Sequence, residues 1–502
     1  MEATATKTRA KVAVTAVTRP LYPRDAPYHP ACDYPEYPFK GHLTAETNEV
    51  YAAVRELLRS LGLDEQNYGT AVWNPLRHLI EPGMKVVIKP NFVLSRHPRG
   101  EELFSIITHP SVLRAIADYC WIALRGSGSI TIADAPQYNC NFDELLEATK
   151  LDEVCDFYAG FPGPVVDFTD LRSYWSAGRH LPSCRRPLAG DPQGTVVVDL
   201  GHRSALCDCP NPQRFYGAVY HRDELIGRHS NGRHEYEVSS TMLGADAFIS
   251  VPKLKVHKKV GVTLNLKGLV GICTNKNLCL HYRLGPPSRG GDQYPDGLFT
   301  PLEEWLIRLE RWMYDHLLAR RSIWLEYVHR SIYRLHGALL KPLGITVPEH
   351  KRIFDAGNWH GNDSAWRMVA DLLKVFYFTD PRGRLHRRRQ RRAFSIVDGV
   401  IAGENNGPLS PDAKPAGVLL AGENILAVDL VATRLMGFDP LKLKMFRAAL
   451  TDPDFDYGVR ALDEINVVGT KGFCTGLLSD TQQRYMDFKP HPGWAGHIEI
   501  SS

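Results

Sequence analysis

The sequence predicts an α/β protein, a mostly parallel or mixed sheet flanked by helices and carrying a helical insertion. Three observations carry this reading. Short apolar runs alternate with segments of helical period between residues 11 and 134. Several of those runs end on polar residues, and an open α/β sheet puts its ligands beyond the carboxyl ends of its strands. Residues 301–345 then abandon the alternation for apolar and aromatic residues at three- and four-residue steps.

The elements follow in order. "KVAVTAV" from Lys11 is a short buried strand, and a Pro- and Tyr-rich loop follows it. "NEVYAAVRELLRSLGL" has the period of a helix. "KVVIKPNFV" is a strand ending at Pro90, and "HPSVLRAIADYCWIALR" is a helix with Pro110 in its first turn. "SITIADAP" is the next strand and "DAFISVPKL" another; "VTLNLKGLVGI" is helix or extended. Trp305, Leu309, Trp312 and His316, then Ile323, Tyr327 and Arg330, predict a helical hairpin lying outside the core motifs. "NDSAWRMVADLLKVFYF" is a helix capped by Asn362 or Asp363, "FSIVDGVIAGENNGPL" a strand running into a loop, and "NILAVDLVATRLMGF" a helix ending at Gly437. The chain of 502 residues exceeds one compact core. We divide it at 1–300 (α/β with an anion-binding strand and loop), 301–393 (helical insertion and "GNWHGND" segment) and 394–502 (a return that completes the core).

Composition excludes several classes. Hydrophobic residues make up 44% and charged residues 23%, ordinary for a soluble globular protein. A net charge of +4 gives no strong nucleic-acid signal. The ten cysteines are irregularly spaced and form no Cys-x-x-Cys, so an iron–sulfur cluster is not expected. The first twenty residues carry no apolar signal core, and no apolar run approaches the roughly 18 residues that span a bilayer. The expected setting is the cytoplasm.

The basic character is local. "SVPKLKVHKKVGVTLNLKGLVGI", from Ser250, carries Lys253, Lys255, Lys258, Lys259 and Lys267, with Lys276 just beyond, and no acid among them. Lysines are rarely buried without a partner, so the missing partner is expected to be a bound anion. Lys258 and Lys259 are expected to line an outer face in water, and Lys253, Lys255 and Lys267 to serve the site. His257 and His281 flank Lys267. The acid–base set is therefore His257, Lys267, His281 and Asp398, with His257, His281 and Asp398 as the candidate ligands of a divalent metal. Asp398 reads equally as an Asx-turn closing its strand. The expected substrate-binding residues are Lys89, Asn91, Asp134, Lys253, Lys255, Asn265, Arg283, His360, Asn362, Asp363 and Glu404. Lys89, Asp134, Lys253, Lys267, His281, Asp363 and Asp398 are expected to converge on one cleft. The run "RGRLHRRRQRR" from Arg382 reads as a solvated loop.

Taken together and in order, "IKPNFV", "THPSVLRAI", "IADAP", the lysine stretch, "LHYRLGPPSRGGDQYPD", "GNWHGNDSAWR", "IVDGVIAGENNGPL" and "AVDLVATRLMGFDP" resemble the family catalogued as domain of unknown function 362, over about residues 80–445. Some members carry a ferredoxin-like cysteine cluster, which this chain lacks. Members with the "GNWHGND" and "LHYR" signatures occur among sugar-polymer and secondary-metabolite genes, which implies a biosynthetic setting. A fainter likeness is to lactate racemase-type proteins, where a lysine between two histidines tethers a nickel-pincer nicotinic cofactor. His257, Lys267 and His281 repeat that order, but "TLNL" precedes the lysine where the racemases have small residues.

The leading expectation is thus a soluble enzyme acting on a small anionic metabolite, an acid or phosphorylated sugar, by acid–base chemistry that a metal would assist. The alternatives are a non-catalytic scaffold of a biosynthetic complex and a nickel-pincer racemase or epimerase. The helices of 301–345, with seven Lys/Arg against five Asp/Glu, are expected to pack on the domain or to make a homodimer or membrane-surface contact.

Overall fold

The computed structural model describes residues 9–176, 185–217, 221–318, 322–335, 338–339, 342, 344–470, 473, 475–480 and 486–500. Parts of the 301–345 segment, and Cys184 and Cys474, lie outside these.

Strands from both ends of the chain meet in a mixed, mostly parallel sheet. From Arg392–Glu404 through Ala247–Val251, Lys85–Pro90 and Ser129–Asp134 to Val165–Asp170, every neighbouring pair is parallel. Val418–Gly422 is the reversed strand, antiparallel to both Arg392–Glu404 and Ala10–Ala16. Ile465–Gly469 lies parallel beyond Ala10–Ala16. The central strands are buried on both faces, as sheets covered by helices require. Val86, Ile88 and Ile249 face one core, and Val87 and Phe248 the other.

The helices form where the pattern predicts. Asn48 caps Glu49–Ser60 by accepting from the Tyr51 N–H. Pro110 opens Pro110–Leu124, where its missing N–H costs nothing. The ambiguous "VTLNLKGLVGI" is helical: one turn, Leu264–Gly268, and then a tighter turn, Leu269–Ile272. The helix Ala365–Phe378 begins after Ser364, and the Asn362 carboxamide accepts from the Ser364 and Ala365 N–H groups. That helix is core: Met368, Leu372 and Phe376 are buried.

The helices Pro301–Met313 and Ile323–Leu335 stand outside the sheet. Arg311 ties the first of them to Asp355 at 2.8 Å. Trp305, Trp312, Trp324 and Tyr327 remain exposed, Trp324 at 81%. Among the described residues no helix is long and apolar enough to cross a membrane.

Candidate functional site

The parallel strands Lys85–Pro90, Ser129–Asp134 and Ala247–Val251 finish side by side, with Ser250 opposite Lys89 and Val251 opposite Pro90. Beyond their carboxyl ends lies a cavity of about 1550 Å³. Asn91, Asp134, Lys255, His257, Lys267 and His281 line it, joined by Lys258, Lys259, Lys276, Asn358 and His491. Nine Lys and Arg against four Asp and Glu contribute to its wall.

Lys267 is central. Its turn opens on Leu264, which holds the left-handed conformation at φ 48°. Asp429, from the helix Ile425–Leu435, accepts from the Asn265 N–H at 2.9 Å, the Leu266 N–H at 2.8 Å and the Asn265 side chain at 2.7 Å. It satisfies donors that a helix start leaves without partners. Burial pushes the Asp429 carboxyl up to about 7, against the pull of those donors. Lys267 itself is buried, and no described carboxylate or carbonyl binds its ammonium. Burial lowers it from its ordinary 10.5 to about 8; Lys276 and Lys89 push the same way, and the Cys279 and Cys273 sulfurs oppose.

Three other lysines of the wall have backbone or amide partners. Lys255 donates to the Ile106 carbonyl at 2.5 Å, and Lys276 to the Val270 carbonyl at 2.7 Å. Lys259 donates to the Ala356 carbonyl and to Asn358 Oδ1. The expectation that Lys259 lies in water is thereby corrected: those acceptors and the Tyr282 ring enclose it, and only 9% of it is exposed. Lys89 pairs with Asp134 at 2.9 Å, directly behind Gly271. A Cβ on Gly271 would collide with the Asp134 carboxylate, which is why a glycine stands there.

The two histidines take opposite tautomers. The backbone N–H of Lys259 donates to His257 Nδ1 at 3.1 Å, so His257 carries its proton on Nε2. His281 Nδ1 lies 2.7 Å from the Cys279 carbonyl, which only accepts, so its proton is on Nδ1 and Nε2 is free to take one. Burial first, and Lys267 second, hold both rings well below the ordinary histidine value, hence neutral. Asn362 donates to the His281 carbonyl at 3.0 Å and fixes that segment.

The remaining expected residues lie outside this lining. Lys253 and Asp398 pair at 3.0 Å with no side-chain exposure, and Asp398 also accepts from Tyr22 at 2.7 Å and the His109 N–H at 2.9 Å. The grouping of Asp398 with His257 and His281 as metal ligands is corrected, because these bonds engage Asp398 elsewhere. Among the described residues no three His, Cys, Asp or Glu are grouped to hold a metal. Arg283 lies 3.6 Å from both Asp292 and Asp363, and Asp363 also pairs with Arg367 and Lys444. Asn265 holds Asp429 and Ser395, and Glu404 accepts from Lys414. His360 stacks on His497. Lys259, Lys276, His491, Asn358 and the positioning residue Asp429 were not among the expected site residues; only the lysine richness of the stretch signals the first two.

A 54-residue stretch is 37% identical to the thylakoid-associated protein sll1697 of Synechocystis sp. (strain ATCC 27184 / PCC 6803 / Kazusa), covering 11% of this chain and 17% of that protein. No solved structure matches the chain. Neither comparison bears on the likeness to racemase-type proteins. The sequence profile described as domain of unknown function (DUF362) matches residues 86–189 and 197–434, and the ordered motifs from "IKPNFV" to "AVDLVATR" fall within it. With well over half its length matched in this way, the chain belongs to the DUF362 family.

Proposed function

We propose that this protein is an enzyme that binds an anionic metabolite at the carboxyl edge of its sheet and moves a proton on it. The observation that carries the reading is Lys267: a buried ammonium in a cavity wall with no described partner of opposite charge. Such a group costs folding free energy and is compensated when an anion binds. Lys267 would hold the anion, His281 Nε2 would accept a proton, and His257 Nε2–H would donate a hydrogen bond to the charge that develops. A phosphate or carboxylate fits this donor set equally.

Calorimetry with phosphate, a sugar phosphate and a hydroxy acid tests it, on the wild-type chain and on Lys267→Ala. Saturable binding of one of them, lost in the variant, supports the reading. Equal binding by both proteins overturns it. His281→Gln should then retain binding and lose turnover of whichever compound is converted. The exposed Trp324 and Tyr327 favour a second reading, a scaffold docking through Ile323–Leu335. Turnover by the isolated protein would exclude that as its whole role.

A further inference from the structure

We propose that the anion is the head of an amphiphile: a phosphate or carboxylate joined to a long hydrocarbon chain. This rests on the anion-binding reading above and adds the rest of the ligand to it.

The cavity has two chemically different halves. The sheet edge and the Lys267 turn supply cations and neutral histidines. The outer half is built by the helices Pro301–Met313 and Ile323–Leu335 and by residues 346–356. Trp305, Leu309, Met313, Ile332, Leu335 and Val347 line it. Two acids of this half are already engaged: Asp355 by Arg311 at 2.8 Å, and Glu310 by Arg352 at 3.0 Å. His329, Arg330, Arg334 and Glu349 line this half beside its apolar side chains.

Size points the same way. About 1550 Å³ exceeds the roughly 300–1,000 Å³ usual for small-molecule pockets. Exposure adds direction. Trp305, Ile332 and Leu335 line the cavity and are also open to solvent, at 51%, 39% and 58%. The apolar lining therefore runs from the interior to the surface, as a path for a chain does. A charged floor and a hydrocarbon exit together complement a molecule with one anionic end and one apolar end.

The test uses the full chain and four soluble probes below their micelle-forming concentrations: butyl and decyl phosphate, butyrate and decanoate, with 1-decanol as the neutral control. Binding is read by calorimetry. At least one decyl anion should bind about 100-fold tighter than its four-carbon counterpart, less than the ~fourfold per methylene that complete burial allows. It should also bind at least about tenfold tighter than decanol. Leu309→Asn should shrink the chain-length advantage and leave the four-carbon anions unaffected. Lys267→Ala should reduce the decyl anion to the affinity of decanol. If four-carbon and ten-carbon anions bind equally, the amphiphile is wrong while the anion site stands. If decanol matches the decyl anions in the wild-type protein, the anion site itself is wrong. Failure of both decyl anions to bind overturns the proposal.

Discussion

Replacing Lys267 by methionine should stabilise the empty protein. Methionine keeps the unbranched stem and removes the charge. The fall of the Lys267 ammonium from 10.5 to about 8, at roughly 1.4 kcal/mol per tenfold change in proton affinity, amounts to about 3 kcal/mol of burial cost. An unfolding entropy of roughly 2.1 cal/mol/K per residue gives about 1 kcal/mol/K for a chain of this length, so Tm should rise by about 3 °C. The pH dependence carries the stronger test. Below pH 8 both folded and unfolded chains carry the proton, and the full cost is present. Between about 8 and 10.5 the folded chain has lost the proton while the unfolded chain still binds it, so wild-type stability gains with pH. The advantage of Lys267→Met should therefore be full at pH 7, shrink through pH 9 and vanish above 10.5. Urea unfolding of both proteins at pH 6, 7.5, 9 and 10.5 measures this. A variant less stable at pH 7, or an advantage that ignores pH, would refute a charged, unpartnered Lys267.

Four other outcomes are expected. Anion affinity in the wild-type protein should fall above about pH 8 as Lys267 discharges; calorimetry from about pH 7.5 to 9.5 checks it, a range in which His257 and His281 stay neutral. Asp398→Ala should cost about 3–5 kcal/mol in chemical unfolding by stranding the Lys253 charge, while Asp398→Leu combined with Lys253→Met recovers most of it. Asp429→Ala should cost about 1–3 kcal/mol and weaken anion binding several-fold, because the N–H groups that start the Lys267 turn lose their acceptor. Trp324→Glu should fold normally and break a dimer seen by light scattering; if the wild-type chain is instead a monomer that sediments with anionic vesicles, loss of that binding in the variant would assign the face to a membrane.

The fold was legible where period and capping agree. The strands from Lys85, Ser129 and Ala247 and the helices from Glu49, Pro110 and Ile425 all carry regular apolar patterns with a cap, a proline or a flanking turn. The stretch between Phe142 and Ser239 was not legible: its helices are seven to nine residues long and, apart from Val165–Asp170, its strands sit in two-stranded pairs, so little pattern accumulates. The site was half legible. Asn91, Asp134, Lys255, His257, Lys267 and His281 share a wall because strand ends and one short turn bring them there. Lys253 was misleading because the strand period puts it on the same face as Lys255, and only the register shift between them and the contacts with Tyr22 and Asp398 turn it away from the cavity. Asp429 was invisible because its partner lies 164 residues away. The histidine tautomers depend on backbone donors and acceptors that side-chain identity does not reveal.

The pairing of Ala10–Ala16 with Val418–Gly422 and Ile465–Gly469 has a consequence for synthesis. The first strand emerges from the ribosome with no partner and must wait for more than 400 residues before one exists. Asp429 and His491 arrive equally late, so the cationic wall around Lys267 is assembled after most of the chain has been made. Until then the partly apolar lysine stretch and the open edge of Ala10–Ala16 are exposed together, and such edges recruit other chains. Production of this protein should therefore depend on elongation rate and on chaperones that shield an orphan strand. Slow growth temperatures should improve its recovery more than any surface substitution does.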